Sequence, residues 1–514
     1  MVLLLRSVQT PHPYGVLPTS NLFLLDGRAT TGYKRRRQEG LGEYLFLLED
    51  ETLLSILECL NGSCLAELGC ASKFLLSFTS HEPLWREVAL RTLSLTGKEK
   101  KLSFRSTWKE TVLGRRIQDS PAYCSPVFSD SLYRVWQYAN TEISESWLEY
   151  TNVDVRYASE SAAAESGAGG TVLSLEDFLN DFEFQRKPVL IHGALTEWKA
   201  FERWGSKPRA ESRNESQSLN LGYLEEKYAD TVCRAGAANM PLRQFMDYSK
   251  GPGTLSDENP LYIFDCTFQE AMPNVVNDYN VPMYFRNSTA FPDRDLFACM
   301  GNLRPDYRWL IAGPAKSGSK WHVDPNYTHA WNAVVSGSKL WLMFPPGQTP
   351  PGVFPNKSGT EVTQPVSLLE WFVNFYESAK VLNPVQFVAR SGDLVFIPSR
   401  WWHCVLNLEP CVAITQNYVA KSNLKESLFM MKYNSELVSG IPSDRAKDSL
   451  YEDFREALKA SHCGLLSSVE CEIDEVVRKH AEEEAMRKKR NRVSVSWHSV
   501  KKAKDKENFS FTFF

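Results

Sequence analysis

Residues 321–344 read WHVDPNYTHAWNAVVSGSKLWLMF, and this stretch indicates the fold class of the chain. Two apolar runs, at 330–335 and 339–344, are separated by Ser336-Gly337-Ser338, which is typical of a turn. Further short apolar runs follow at 393–397 and 411–415. Short strands at regular spacing, bounded by Gly, Pro, Asn and Ser, predict a mainly β domain, either a barrel or a sandwich.

The same stretch carries candidate metal ligands. His322 and Asp324 are two residues apart, and residues at that spacing on a strand project to the same face. His403 lies in a second strand-like segment that follows Pro398. Two histidines and one carboxylate from separate strands form the facial triad that suits Fe(II) and leaves coordination positions open. Cys404 would point to the opposite face, so the pattern does not indicate a closed zinc site.

Polar residues inside the apolar strands predict a second group of ligands. Lys339 is expected on the inward face of its strand together with Trp341 and Met343, and a lysine inside an apolar barrel needs an anion. The distal carboxylate of 2-oxoglutarate is such an anion. Asn332 and Thr415 also lie within strand patterns, and we expect them to contribute to binding of that cosubstrate.

The region 171–420 resembles a JmjC oxygenase, closest to the branch of arginine demethylases and lysyl hydroxylases once described as phosphatidylserine receptors. The motifs that carry this resemblance are Pro260-Leu261-Tyr262-Ile263-Phe264-Asp265, Tyr307-Arg308-Trp309, Gly313-Pro314, Ser317-Gly318-Ser319, His322-x-Asp324-Pro325, Ala330-Trp331-Asn332-Ala333, Gly337-x-Lys339-x-Trp341-x-x-Phe344-Pro345, Gly392-Asp393, Phe396-x-Pro398, Trp401-Trp402-His403 and Ile414-Thr415-Gln416-Asn417.

The resemblance implies a double-stranded β-helix, a cupin-like jelly roll. It also implies that His322, Asp324 and His403 hold Fe(II), with 2-oxoglutarate and O2 as cosubstrates. Lys339 would pair with the far carboxylate of 2-oxoglutarate. Thr415, Asn332 and Tyr262 would donate or accept hydrogen bonds there, and Ser319 stands where the family often has threonine.

Residues 45–92 predict a small all-α unit, because apolar residues recur at helical spacing on both sides of Asn61-Gly62-Ser63 and Trp85 can close the core. The unit resembles an F-box, on the basis of Ser55-Ile56-Leu57-Glu58-Cys59-Leu60 and the terminal Leu84-Trp85, although the proline usual near the start of that motif is absent. The resemblance implies a Skp-type adaptor as partner. An ordinary helical cap with core leucines is the alternative.

The remaining segments are assigned by composition. We expect a flexible N-terminal segment at 1–44, a connecting helical segment at 93–158, a linker or loop insertion at 159–170, C-terminal helices at 421–477 and a basic tail at 478–514. The tail holds eleven Lys or Arg against four Asp or Glu between 478 and 506, whereas the whole chain has a net charge of -4. The basic clusters 34–37 and 487–492 resemble nuclear address signals and would also suit chromatin or nucleic acid; a solvated tail is the alternative.

Composition excludes several protein classes. Hydrophobic residues make up 43% and charged residues 23% of 514 residues, which are globular values. Eleven cysteines without a CxxC pair do not form a disulfide framework, and no apolar run reaches the length of a membrane span. These features predict a nuclear or cytoplasmic protein without a membrane partner.

An F-box joined to such an oxygenase domain resembles a plant-type architecture, and this resemblance implies a nuclear histone arginine demethylase. A protein lysyl hydroxylase is the alternative within enzymes. A substrate receptor of a Skp-cullin ubiquitin ligase is the alternative outside them, but His322, Asp324, Lys339 and His403 are all present and favour catalysis. A methylated cation would suit a pocket of aromatic residues and carboxylates, for which Trp321, Tyr262, Trp309 and Trp402 are candidates. The alternative is that these aromatic residues near the barrel mouth belong to the core.

Overall fold

The computed structural model of the chain describes residues 11–96, 104–117, 126–165, 167, 170–204, 221–251 and 257–498, with no side chains at 94–96, 484 and 487–498. The helices of these residues are α1 (Gly27–Leu45), α2 (Asp50–Leu57), α3 (Gly62–Gly69), α4 (Lys73–Thr79), α5 (Glu82–Thr96), α6 (Trp108–Leu113), α7 (Asp130–Ala139), α8 (Glu160–Glu165), α9 (Leu175–Asp177), α10 (Lys199–Arg203), α11 (Gly222–Tyr228), α12 (Leu242–Lys250), α13 (Phe268–Ala271), α14 (Leu368–Val381), α15 (Leu424–Tyr433), α16 (Ser449–Ser461) and α17 (Cys463–His498).

The strands of the same residues are β1 (Val16–Leu17), β2 (Val127–Phe128), β3 (Asp154–Tyr157), β4 (Val189–His192), β5 (Val232–Ala235), β6 (Ala238–Pro241), β7 (Ile263–Asp265), β8 (Arg308–Gly313), β9 (Gly318–His322), β10 (His329–Ser336), β11 (Ser338–Phe344), β12 (Phe354–Pro355), β13 (Val362–Thr363), β14 (Val385–Arg390), β15 (Leu394–Ile397), β16 (Trp402–Asn407) and β17 (Cys411–Tyr418). The predicted strands at 330–335, 339–344, 393–397 and 411–415 therefore all form.

Two sheets pack face to face. In the described residues the larger sheet has the order β3-β4-β15-β10-β17-β8-β7-β5-β6, and the smaller has the order β14-β11-β16-β9. One buried cluster joins their inner faces, with Val334 and Val395 from the larger sheet and Trp341, Phe387 and Val405 from the smaller. Alternation along the strands places these side chains inside, and the result is the predicted cupin-like jelly roll.

Helices cover the outer faces of both sheets. α14 packs on the smaller sheet through a cluster that contains Trp371 and Phe372. The helices α15 to α17 form a separate buried cluster at the C-terminal side, which includes Leu428, Phe454 and Leu466. Buried residues of the N-terminal helices belong to one continuous cluster with the outer face of the larger sheet. Helices therefore cover the outer faces of both sheets within the described residues.

The predicted helical unit at 45–92 contains α2 to α5. Leu53, Leu57, Leu65 and Trp85 form its core, and the Trp85 indole donates to the Thr79 carbonyl at 2.6 Å. A buried polar residue attaches the unit to the barrel. The Asp257 carboxylate lies 3.7 Å from Arg86 Nε of α5, and it also accepts from Trp108 Nε1 of α6 at 3.0 Å and from the Tyr248 hydroxyl at 3.1 Å. The Tyr248 oxygen in turn accepts from the Leu261 amide at 2.9 Å, directly before Tyr262.

The expectation of a flexible segment at 1–44 is wrong for its described part, 11–44. β1 pairs with β2, and α1 begins at the cap Asp26, whose carboxylate accepts from Ala29 N at 2.8 Å. Tyr33 is buried and its hydroxyl donates to the Phe128 carbonyl at 2.9 Å. The buried residues of α1 are Tyr33 and Leu41, and a composition-based argument overlooks so sparse a pattern.

The connecting segment at 93–158 is not only helical. Its last residues form β3, which pairs in parallel with β4 in the larger sheet, so the sheet begins before residue 171. The linker expected at 159–170 contains α8, where Ala162 packs against Gly193: a Cβ on that glycine would lie 2.5 Å from the Ala162 Cβ. A run of small residues resembles a linker in the sequence, but in the structure small side chains allow α8 to pack closely against the chain at Gly193.

The C-terminal helices extend further than 477, because α17 continues to His498. Ion pairs at i,i+4 spacing support its exposed middle, including Arg478–Glu482 at 3.1 Å and Glu475–Lys479 at 2.7 Å. The basic tail is therefore helical in its first part, and 499–514 lie outside the described residues. None of the helices that the structure describes is long and apolar enough to cross a membrane.

An ion pair at the end of β4 makes stability depend on pH. His192 Nδ1 lies 2.6 Å from Asp393 Oδ1, and the hydrogen bond to Asp393 raises the pKa of His192 despite partial burial. A raised folded-state pKa stabilises the fold below the unfolded value near 6.5, and this contribution is lost as pH rises through the folded value. We expect His192→Gln to lower the free energy of unfolding by about 0.5–1 kcal/mol at pH 6 and by much less at pH 8.5. Thermal unfolding of both proteins across this range measures the difference; a difference independent of pH would contradict it.

Candidate active site

The three predicted metal ligands meet at one end of the barrel interior. His322 is the last residue of β9 and is paired in register with His403 of β16. The two ring centroids are 4.1 Å apart, and Asp324 Oδ1 lies 3.9 Å from Nε2 of each ring. Asp324 follows the end of β9, but its backbone is extended, with φ -59° and ψ 142°, so the expected side-to-side alternation continues to it. The spacing of two residues therefore brings both side chains to one spot.

Backbone carbonyls orient both imidazole rings. The Lys320 carbonyl lies 2.7 Å from His322 Nδ1, and the Trp401 carbonyl lies 3.1 Å from His403 Nδ1. A carbonyl can only accept, so Nδ1 carries the proton in each ring and the Nε2 lone pairs face Asp324. Buried Asp324 Oδ2 has no hydrogen-bond partner among the residues that the structure describes. Two imidazole nitrogens and an unsatisfied carboxylate fit a divalent metal such as Fe(II).

Within the described residues, no fourth protein ligand joins the triad. Among the residues that the structure describes, His322, Asp324 and His403 are the one cluster of three or more metal-ligating side chains. Cys404 is buried in the cluster on the outer face of the smaller sheet, as strand alternation predicts. A three-ligand site keeps positions open for exchangeable groups, unlike a structural zinc site.

Burial shifts the pKa of Asp324 and of His403. It raises the pKa of Asp324, while the nearby His322 lowers it. Burial also lowers the pKa of His403 well below its usual value, and His322 lowers it further. His403 is therefore neutral at neutral pH, which is the form that ligates a metal.

Lys339 lies deeper in the barrel and is 1% exposed. Its ammonium donates to the Tyr262 hydroxyl at 3.3 Å. Burial lowers the pKa of Lys339, but attraction to the Tyr262 phenolate and the Cys411 thiolate outweighs that effect, and the net direction is upward. These anions form only above neutral pH, since burial raises the pKa of Cys411 to about 11. Burial raises the pKa of Tyr262, so this partner is a neutral phenol at neutral pH. A charged ammonium is thus buried against a neutral group, and an incoming carboxylate would complete the pair.

Three further predicted residues surround the same space. Ser319 is hydrogen-bonded to Tyr262, and the Thr415 hydroxyl donates to the Trp331 carbonyl at 2.8 Å. Thr415 therefore retains only acceptor capacity in this arrangement. Asn332 Oδ1 is buried and has no hydrogen-bond partner in the described part of the chain. The side chain of Asn332 is thus available for a ligand, and its role and those of Ser319 and Thr415 stay predictions.

All eight predicted site residues line one cavity of about 300 Å³. This volume is at the lower end of the range for small-molecule sites. Apolar side chains form most of the remaining wall: Ile311, Ala330, Trp341, Ile397 and Val405. Such walls limit the water around a ligand held between Lys339 and the triad.

The aromatic candidates for substrate binding divide into two groups. Tyr262 and Trp309 line the cavity. Trp321 is 1% exposed and packs against Phe344 and Trp371 on the outer face of the smaller sheet, so its expected role is wrong. Trp402 belongs to the same outer cluster. Both tryptophans directly precede a ligand histidine, and alternation along a strand turns them away from the cavity.

Several lining residues were not identified from the sequence. Phe264, Asp306, Ser439 and Gly440 lie in the wall of the cavity. Phe264 could have been found, because it is two residues beyond Tyr262. Ser439 and Gly440 follow α15 in a loop between C-terminal helices, and no local pattern indicates that this loop returns to the barrel.

The comparisons with known proteins agree with this geometry. Residues 175–423 match the family described as a cupin-like domain. The chain is 37% identical over 521 residues to Arginine-specific demethylase JMJ22 of Arabidopsis thaliana, which covers 99% of this chain and 90% of that protein. It is 32% identical over 264 residues to Bifunctional arginine demethylase and lysyl-hydroxylase psr-1 of Caenorhabditis elegans, covering 50% and 61%. It is 27% identical over 260 residues to 2-oxoglutarate and iron-dependent oxygenase JMJD4 of Danio rerio, covering 48% and 58%.

Proposed function

Because the chain belongs to the cupin-like JmjC oxygenases, we propose that it removes methyl groups from arginine side chains of proteins, histones among them. The chain is an Fe(II)- and 2-oxoglutarate-dependent enzyme, and the JMJD4 relative is named as a 2-oxoglutarate and iron-dependent oxygenase. The observation that carries the proposal is the shared cavity of His322, Asp324, His403 and Lys339. The match over 99% of the chain, to a protein named as an arginine-specific demethylase, supports arginine as the substrate residue.

The side chains of the cavity have separate tasks in this reaction. His322, Asp324 and His403 would hold the iron, which when bound supplies oxidation of a C–H bond coupled to decarboxylation of 2-oxoglutarate. Lys339 would bind the far carboxylate of the cosubstrate, with Tyr262, Ser319, Asn332 and Thr415 nearby for hydrogen bonds. The apolar wall would exclude water from the reacting groups. Hydroxylation of an N-methyl group gives a hydroxymethyl product that releases formaldehyde.

Lysyl hydroxylation is the second candidate, favoured by the bifunctional name of the psr-1 relative. Mass spectrometry of histone peptides after incubation with iron-loaded enzyme and 2-oxoglutarate separates the two. Demethylation removes about 14 Da and hydroxylation adds about 16 Da. We expect peptides that carry methylarginine to lose the mass of one methyl group by demethylation. A gain on unmethylated lysine alone would instead establish the hydroxylase.

We also propose that the helical unit binds a Skp-type adaptor. Its support is a set of exposed apolar side chains at the end of α1, between α1 and α2, and on α2: Tyr44, Leu47 and Ile56, of which Leu47 is 69% exposed. We expect Ile56→Asp to abolish capture of a purified adaptor, because a charge opposes burial of this surface. Ser55→Asp, on the same helix, is the matched control. Adaptor capture that survives Ile56→Asp at full strength would contradict the proposal.

A nuclear location is part of the same proposal. An arginine demethylase of histones works in the nucleus, and the cluster at 34–37 presents exposed Lys34, Arg35 and Arg36 on α1. Arg37 pairs with Asp50 at 2.7 Å and supports the fold instead. For the cluster at 487–492 the side chains lie outside the described residues.

A further inference from the structure

The mouth of the cavity has a distinct chemistry from its interior. Phe264 of β7, Trp309 of β8 and Asp306, which precedes β8, all line it. Phe264 is 39% exposed, and Asp306 is exposed as well. Aromatic faces beside a carboxylate are suited to an organic cation. None of the groups assigned to iron or 2-oxoglutarate needs these three side chains.

The two aromatic rings form a platform. Their centroids are 5.3 Å apart and their planes differ by 24°, so they are stacked on each other. A stacked pair offers one ring face to a ligand, whereas recognition of a tetrahedral ammonium uses several rings that surround it. A planar guanidinium stacks on a single aromatic face. The geometry of this pair therefore favours a guanidinium over a methylated lysine.

The backbone holds Asp306 at the mouth. The Asp306 amide donates to the Gly440 carbonyl at 2.6 Å. The carbonyl of the next residue, Tyr307, accepts from the Asn417 amide at 2.7 Å. Gly440 has φ +77°, and a Cβ there would lie 3.2 Å from the Asp306 nitrogen. The loop after α15 therefore approaches Asp306 closely, and it needs glycine to do so.

The Asp306 carboxylate has no ion-pair partner within the described residues. The nearby cations are engaged elsewhere: Arg304 pairs with Asp295 at 2.8 Å, and Arg308 donates to Gln416 at 2.7 Å. The neighbouring Cys266 thiol is neutral, because burial first and Asp306 second raise its pKa to about 11. A negative charge is thus held at the entrance without a counterion from the chain.

We propose that Asp306 and the Trp309 platform recognise the guanidinium of the methylated arginine and so determine the specificity for arginine. This inference rests on the proposed demethylase function and assigns it a substrate-binding group. The carboxylate would bind guanidinium N–H groups, while the ring stacks on the plane of the cation. The methyl group could then extend toward the triad.

Two peptides of the same sequence test the charge recognition, one with Nω-methylarginine and one with its uncharged analogue Nω-methylcitrulline. Binding is measured by fluorescence anisotropy, and turnover by mass spectrometry. We expect Asp306→Asn to weaken binding of the methylarginine peptide about tenfold and to leave the citrulline peptide nearly unchanged. Asp444→Asn, an exposed aspartate of the loop before α16 that does not line the cavity, is the matched control. Equal effects of Asp306→Asn on both peptides, or none, would overturn the role of Asp306.

A substitution of the platform tests the stacking. Trp309→Leu should weaken binding of both planar groups, and Trp309→Phe should restore most of the affinity. Wild-type affinity in Trp309→Leu would overturn the platform. The result is separable from the proposed function. If binding depends on the charge of the peptide but no formaldehyde is released, the recognition by Asp306 is supported and the demethylase function is refuted. If demethylation proceeds equally well in Asp306→Asn, only the recognition by Asp306 is refuted.

Discussion

His322→Ala is expected to abolish oxidation of every peptide substrate, a loss of at least about 1,000-fold. The substitution removes one of three metal ligands, and within the described residues no other histidine, cysteine or carboxylate joins the cluster to replace it. Turnover of 2-oxoglutarate to succinate should disappear together with peptide oxidation, because both depend on the iron. Succinate and peptide mass, followed in one reaction, provide the measurement.

Metal binding separates the assignment of iron from a general structural effect. Titration with Mn(II), a redox-inert probe, should show one tight site in the wild type and a weak or absent one in His322→Ala. His480→Ala is the matched control, because His480 is exposed on α17. His322 is partly exposed at the end of β9, so its removal leaves the core intact. Retained turnover in His322→Ala would refute the metal assignment.

The parts of the site that could be predicted are those that follow from strand alternation. His322, Lys339 and Thr415 point inward, and Cys404 points outward, as a period of two residues requires. The same rule, applied to Trp321 and Trp402, would have removed them as substrate-binding candidates. Each of these tryptophans directly precedes a histidine that points inward, so alternation turns the tryptophan outward. Aromatic character alone does not indicate on which face of a strand a side chain lies.

The remaining features depend on contacts between distant segments. Nothing near Asp306 indicates that Gly440 would approach it, because that contact needs the loop after α15 to fold back across the mouth. The docking of α1 rests on the hydrogen bond between Tyr33 and Phe128, which are 95 residues apart. Likewise, β3 joins the larger sheet through a parallel pairing with β4. The local sequence pattern of α1 and of β3 is weak, because α1 has two buried residues and β3 has one.

Lys339→Met is expected to affect cosubstrate binding and stability in opposite directions. The buried ammonium has the neutral Tyr262 hydroxyl as its hydrogen-bond acceptor, so the protein without 2-oxoglutarate carries the cost of an uncompensated buried charge. Methionine has a similar volume and no charge. We expect the variant without cosubstrate to melt about 2–4 °C higher than the wild type. Its apparent KM for 2-oxoglutarate should rise at least about 100-fold, because the far carboxylate loses its buried partner.

Thermal unfolding with and without 2-oxoglutarate measures both effects on the same samples, with a divalent metal present throughout. Saturating 2-oxoglutarate should raise the melting temperature of the wild type, since a ligand that binds the folded state stabilises it, and should leave Lys339→Met unchanged. Lys357→Met is the matched control, because Lys357 is exposed and does not line the cavity. Mn(II) affinity should match the wild type, as the triad is intact. A variant that melts lower and still responds to 2-oxoglutarate would show that Lys339 supports the fold and does not bind the cosubstrate.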